Sequence, residues 1–258
     1  MLLVIDAGNT NVVFAIFDGE TLIDQWRIST DPKRTADEYG VWLTQVMEHA
    51  NISPEKITGA ILSTVVPQAL FDLRMLTRRY FNTELMVIGD ERVKTGITVK
   101  IDNPREIGAD RLVNSFAAWS KYKEAMIVVD FGTATTFDVI SDKGEYLGGI
   151  IAPGVNLSLD ALHRAAAKLP NVAVMRPAKV IGSSTSSAMQ SGIYYGYAGV
   201  IDTITARIKE EYGKPMKVIA TGGLASLYDK ACPVIEQIEP DLTIYGLQAL
   251  YAMNKGNI

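Results

Sequence analysis

Two short acidic turns carry most of the chemistry this chain could do. The first is DAGNTN, Asp6 to Asn11, and the second is DFGTAT, Asp130 to Thr135. Each follows an apolar run and sets an aspartate two residues before a glycine. Gly8 and Gly132 would let backbone approach a ligand and would tolerate positive φ. Asn9, Thr10 and Asn11 in one turn, and Thr133, Thr135 and Thr136 in the other, add polar groups. Backbone amides at such a turn form a concavity suited to phosphate oxygens. A carboxylate beside phosphate repels it unless a cation intervenes, so Asp6 and Asp130 point to metal-assisted phosphate chemistry. For either turn alone, an aspartate that only stabilises a hairpin is the competing reading.

A third aspartate lies in GADR, Gly108 to Arg111, just before the helical stretch LVNSFAAW. Asp110 there could cap a helix. It could equally take a proton from a substrate hydroxyl, with Arg111 holding an anion. The run GGIIAPGV, Gly148 to Val155, reads as a strand leaving into a tight loop. GSSTSSAMQSG, Gly182 to Gly192, offers hydroxyls that could cap a helix or bind a polar substrate. Gly222-Gly223, after the strand KVIAT, is either a turn or a close-approach point for a flat ligand. Gly192, Gly196 and Gly199 share one helix face and would let a second helix come near.

These residues need elements to hold them. Apolar runs predict strands at residues 2–5, 12–17 and 22–28, with Asp18-Gly19 as a hairpin signal. Helical spacing covers 35–50 and 66–80, with strands at 57–63 and 85–88. The plan then repeats: strands at 125–130, 136–140 and 146–151, helices at 157–167 and 188–212, a strand at 216–221 and a last helix at 245–253. Asp6 and Asp130 stand 124 positions apart (130 minus 6), as do Gly8 and Gly132, Ile16 and Ile140, and Glu20 and Gly144. A match this long predicts an α/β chain built from a duplicated βββαβα unit. The expected halves are 1–118 and 119–258, joined without a Pro/Gly-rich linker and therefore closely packed.

Composition narrows the function. The 258 residues carry a formal net charge of -4, with 48% hydrophobic and 21% charged residues. No basic stripe recruits nucleic acid or anionic lipid, and no apolar run is long enough to span a membrane. The single cysteine, Cys232, rules out an intramolecular disulfide and a cysteine zinc site within the chain. Met1 leads straight into LLVID with no secretory pattern, which predicts a reducing, cytoplasmic setting. P-loop, dinucleotide, HExxH and GxSxG signatures are all missing. His49 and His163 stand alone and read as surface or packing residues.

In their order along the chain, DAGNTN, GADR, DFGTATT and GGIIAPG resemble the type III pantothenate kinase family. That family belongs to the acetate and sugar kinase, Hsp70 and actin superfamily of duplicated ribonuclease H-like domains. The resemblance covers nearly the whole chain. It implies ATP-dependent phosphorylation of pantothenate, the first step of coenzyme A synthesis, in a cleft between the two domains. Asp6, Ala7, Gly8, Asn9, Thr10, Asn11, Val12 and Val13 would form the ATP phosphate loop, and Thr133 would also touch ATP. Asp110 would be the general base, with Gly108, Ala109, Arg111 and Thr185 completing the pantothenate site. Asp130 would hold a monovalent cation, K⁺ or NH₄⁺, and Asp6 would hold ATP-bound Mg²⁺ directly or through water. The active unit would be a homodimer. Ile101 stands where the family often has tyrosine, and Ser183-Ser184 where a Lys-Asn pair is usual. A kinase for another small alcohol or sugar, or a non-catalytic regulatory relative, are the rival expectations.

Overall fold

A computed structural model describes residues 1–166 and 169–256. The chain folds as two compact units. The first comprises residues 1–98, 103–117 and 242–258, and the second 99–102 and 118–241. The expected division at 118/119 left residues 242–258 in the second half; the structure groups them with the first.

The first unit begins with β1 (Leu2–Ala7), β2 (Asn11–Asp18) and β3 (Thr21–Ser29), then α1 (Ala36–His49), β4 (Gly59–Thr64), α2 (Leu70–Phe81) and β5 (Leu85–Val87). Its sheet runs β3-β2-β1-β4-β5, antiparallel across the hairpins and parallel beyond β1. The Asp18-Gly19 turn has Gly19 at φ 61, the left-handed value glycine adopts freely. Thr35 starts α1 with a reciprocal capping box to Glu38.

Further along come β6 (Thr98–Val99), α3 (Ala109–Tyr122), β7 (Met126–Phe131), β8 (Ala134–Ile140), β9 (Glu145–Pro153), α4 (Val155–Ala165), α5 (Thr185–Tyr212), β10 (Lys217–Gly222), α6 (Ala225–Tyr228), β11 (Gln237–Ile238) and α7 (Leu242–Asn254). The second sheet runs β11-β10-β7-β8-β9-β6, which is the first sheet's order with one short strand added at the edge. The expected helix over 157–167 is observed as α4; residue 167 lies outside the described residues. α5 begins three residues earlier than expected, because Ser184 and Ser187 form a capping box there.

The duplication extends to an irregularity. The first sheet has a register shift between Ile16 and Phe17, and the second between Val139 and Ile140. Ile16 therefore matches Val139, not Ile140. The loop after β7 is one residue shorter than that after β1, and the next turn is longer by one, so register is lost over β2 and regained at β3. A bulge kept at one place in both copies is a property of the shared backbone plan.

Strand alternation sorts the core. Leu3, Ile5 and Ala7 of β1 point to one face and pack with Leu43 of α1 and Leu73 of α2. Leu2 and Val4 point the other way, onto Val113 and Phe116 of α3 and Leu247 and Leu250 of α7. This packing is why the C-terminal helix joins the first unit. In the second unit Ile127, Val129 and Phe131 pack with Tyr194 and Ile201 of α5 and Tyr228. Among the described residues no helix is long and apolar enough to cross a membrane.

Candidate active site

Asp6 is the next residue on the Leu2 and Val4 face of β1, at the point where that apolar stripe ends. Two helices pack on the stripe, α3 and α7, and Asp110 lies in the first turn of α3. Two carboxylates are thereby brought together from segments about a hundred residues apart in sequence. Asp6 feels the result. Burial, and then the Asp110 charge, push the Asp6 carboxyl up to about 7 from 3.8, against the pull of the Ser63 hydroxyl and the Arg27 charge. Burial also raises Asp110, while the Arg111 amide and guanidinium draw it back.

Several contacts fix Asp110. The Arg111 backbone amide donates to Asp110 Oδ1 at 2.7 Å. A Cβ on Gly108 would stand 2.6 Å from Asp110 Oδ1, so only glycine leaves room for the carboxylate. Further along α3, α7 crosses closely: a Cβ on Gly246 would meet Val113 Cγ1 at 2.8 Å and Ala117 Cβ at 2.9 Å. Thr243 Oγ1 donates to Asn114 Oδ1 at 2.7 Å. Ala109 and Arg111 are half-buried beside Asp110.

The turn after Asp6 is built from main chain. Gly8 N–H donates to Asn11 O at 3.0 Å, Thr30 N–H donates to Thr10 O at 2.9 Å, and Thr30 Oγ1 donates to Gly8 O at 2.6 Å. Asn9 and Thr10 are exposed, Gly8, Asn11 and Val13 half-buried, and Ala7 and Val12 buried. Thr30 is not among the residues the motifs single out, although a β-branched hydroxyl ending the third strand is the available signal. Neither Gly8 nor Gly132 adopts the positive φ that glycine would tolerate. Their value is openness: a Cβ on either would come no nearer than 3.4 Å to a carbonyl oxygen of its own turn.

In the second unit Asp130 lies opposite Thr136 on β8 and Thr221 on β10. Gly222, at φ 89, is a close-approach point, but toward protein: its Cβ would lie 2.6 Å from Asp130 Oδ1 and 2.7 Å from Phe131 O. Thr133 is exposed on its turn, and Gly132 N–H donates to Ala134 O at 3.1 Å. Gly154, at the start of α4, donates its N–H to Thr133 O at 3.1 Å and has no room for a Cβ against that carbonyl.

Thr185 is exposed at the first residue of α5. It lines a concavity of about 910 Å³ together with Leu162, Leu169, Ser183, Met189 and Ile193. Ser184 and Ser187 are occupied in capping, which answers what those hydroxyls do. Gly192, Gly196 and Gly199 form an exposed stripe on α5 with open space above them. His49 and His163 are exposed, each ring bonded to a backbone carbonyl.

Comparison with known proteins decides the family. The model for type III pantothenate kinase matches residues 2–207. A type III pantothenate kinase from Paramagnetospirillum magneticum is 55% identical over 254 residues, covering 98% of both chains. This chain belongs to the type III pantothenate kinase family. Solved structures extend the fold beyond it. A conserved protein of Campylobacter jejuni assigned to the Baf family of transcriptional activators aligns with TM-score 0.62 at 19% identity, over 98% of this chain and 99% of that one. An inorganic polyphosphate/ATP-glucomannokinase from Arthrobacter sp. strain KM aligns with TM-score 0.53 at 15% identity, over 98% of both chains. At such identities the likeness is one of fold, two ribonuclease H-like domains of the sugar kinase and actin type. In this pantothenate kinase family member, the residues assembled in the first unit are those of the DAGNTN and GADR motifs.

Among the described residues no group of three or more His, Cys, Asp or Glu side chains could hold a metal ion. A mutually repelling carboxylate pair suits Mg²⁺ in another way, since that ion uses one or two carboxylates and completes its shell with substrate phosphates and water. Asp130, with Thr136 and Thr221 beside it on the sheet, offers oxygen donors of the hard type an alkali cation takes.

Proposed function

We propose that this chain transfers the terminal phosphoryl group of ATP to the primary hydroxyl of pantothenate, giving 4'-phosphopantothenate and ADP, with Asp110 as general base. The observation that supports this most is the Asp6–Asp110 pair in a chain of this family. Phosphoryl transfer needs positioning and charge neutralisation more than covalent chemistry. The turn from Asp6 to Val13 cradles the phosphates through its amides. Asp6 carries the Mg²⁺ that accompanies ATP, and this ion supplies charge neutralisation on the phosphate oxygens. Asp110 accepts the hydroxyl proton as the oxygen attacks phosphorus and the bond to ADP breaks. Its raised pKa makes it a better proton acceptor than an ordinary surface aspartate.

Gly108, Ala109, Arg111 and Thr185 line the pantothenate side, with Arg111 set to pair with its carboxylate. In the second domain Thr133 contacts ATP and Asp130 holds K⁺ or NH₄⁺. Transfer takes place in a homodimer formed through the exposed small-residue stripe of α5. The enzyme works in the cytoplasm, in keeping with its lone buried thiol. Coupled ADP release tests the reading: pantothenate supports turnover and a panel of sugars does not. A sugar turned over faster than pantothenate would overturn it.

A further inference from the structure

The crosswise row through Asp6 does not stop at β2. Asp6 pairs with Val13, and Val13 pairs with Arg27 on β3. Directly paired residues point to the same face of a sheet, so Arg27 rises on the face that bears Asp6. Two strand spacings of about 4.8 Å separate their backbones by roughly 10 Å. The Arg27 charge is felt at Asp6. Val13, between them, is the last residue of the proposed phosphate loop. Arg27 is exposed, and it has no hydrogen bond or ion pair among the described residues. Arg34, by contrast, is engaged: it donates to Ser29 O at 2.6 Å and lies over the Tyr39 ring.

The duplicated sheet supplies an internal control. Counting outward from Asp130, the row passes through Thr136 to Ile151, an exposed isoleucine. The cation at this place is therefore not demanded by the sheet, and belongs to the first copy alone. A guanidinium free to move beside a phosphate cradle is suited to bidentate contact with phosphate oxygens.

We propose that Arg27 is a further phosphate-binding residue, holding the polyphosphate tail of the nucleotide from the β3 side of the Asp6 turn. The assignment rests on the nucleotide reading above. Equilibrium binding to the full chain tests it, using a non-hydrolysable ATP analogue with Mg²⁺, ADP with Mg²⁺, and AMP. Arg27→Ala should weaken the analogue and ADP by roughly ten- to hundredfold and leave AMP unchanged. Arg27→Lys should recover part of the loss, and exposed Arg78→Ala should match wild type. Pantothenate KM should stay constant while ATP KM rises. An Arg27→Ala protein binding the analogue within twofold of wild type would overturn the proposal, as would equal losses for AMP and the analogue. Wild-type protein that bound none of the three would instead overturn the nucleotide reading, and this proposal with it. Arg27 sits exposed on an edge strand, so an unchanged melting temperature should accompany every variant.

Discussion

Lay the two Asp-x-Gly rows side by side. In the first sheet the row reads Arg27, Val13, Asp6, Ser63; in the second it reads Ile151, Thr136, Asp130, Thr221. The backbone is the same down to the bulge at the end of the second strand. Only the aspartate is common among the side chains. The first row is charged and has a second carboxylate, Asp110, close enough to raise its pKa. The second is flanked by hydroxyls and ends in an exposed isoleucine. Duplication preserved a turn that brings an acid and open amides to the end of a central strand, and divergence gave each copy its own electrostatics. We read the first copy as the reacting half and the second as the half that binds a monovalent cation.

Of the changes within the two rows, substituting the shared aspartate of the first should produce the largest effects, and in opposite directions. Asp6→Asn should lower turnover by about 100-fold or more, as loss of a charge that organises the transferred phosphate does elsewhere. The same change should stabilise the metal-free protein. A carboxyl raised from 3.8 to about 7 in the fold favours folding fully only below 3.8, and loses that contribution as pH rises through 7. Asparagine has no proton to lose. The variant should therefore gain at most about 4 kcal/mol over wild type at pH 8, with the gap closing toward pH 4. Thermal melts in chelator at several pH values check this; a pH-independent difference would separate Asp6 from the burial described.

The second row should answer differently. Gly222→Ala must place a methyl against Asp130 Oδ1 and the Phe131 carbonyl at positive φ, costing about 1–3 kcal/mol. It should also shift the K⁺ concentration giving half-maximal activity, read from a titration against a Na⁺ background. Stability loss with an unchanged K⁺ response would remove Asp130 from that role. The smallest effect belongs to Gly8→Ala. Its new Cβ comes no nearer than 3.4 Å to Asn11 O, so the unfolding free energy from urea titration should change by less than about 0.5 kcal/mol, while ATP KM rises because the methyl faces the cradle.

Much of this was legible in the sequence, because the signals were local. Apolar runs ending in Asp-x-Gly announced β1 and β7, and repetition of the whole pattern announced two like sheets. What escaped depended on partners distant in the chain. Nothing within residues 242–258 says that Leu247 and Leu250 pack on Val4 and Ile61, or that Asn254 Nδ2 donates to Lys94 O at 2.9 Å. A helix apolar on several faces declares that it is buried, not against what. The one-residue slip over β2 was hidden because two loops of changed length compensate. Gly222 could be recognised as a close-approach point, but its neighbour, the Asp130 carboxylate, could not. An arginine on an alternating edge strand, as Arg27 is, reads as solvent-facing, and only register sets it level with Asp6.

The central claim is that Asp110, brought beside Asp6 by the packing of α3 on β1, removes the proton from the pantothenate hydroxyl. Single-turnover and steady-state ADP release with pantothenate, comparing wild type with Asp110→Asn, measures it most directly. The account predicts a fall in kcat of about 10²- to 10⁴-fold with the affinity for the Mg²⁺–ATP analogue preserved. Turnover of the asparagine variant within a few-fold of wild type would contradict it.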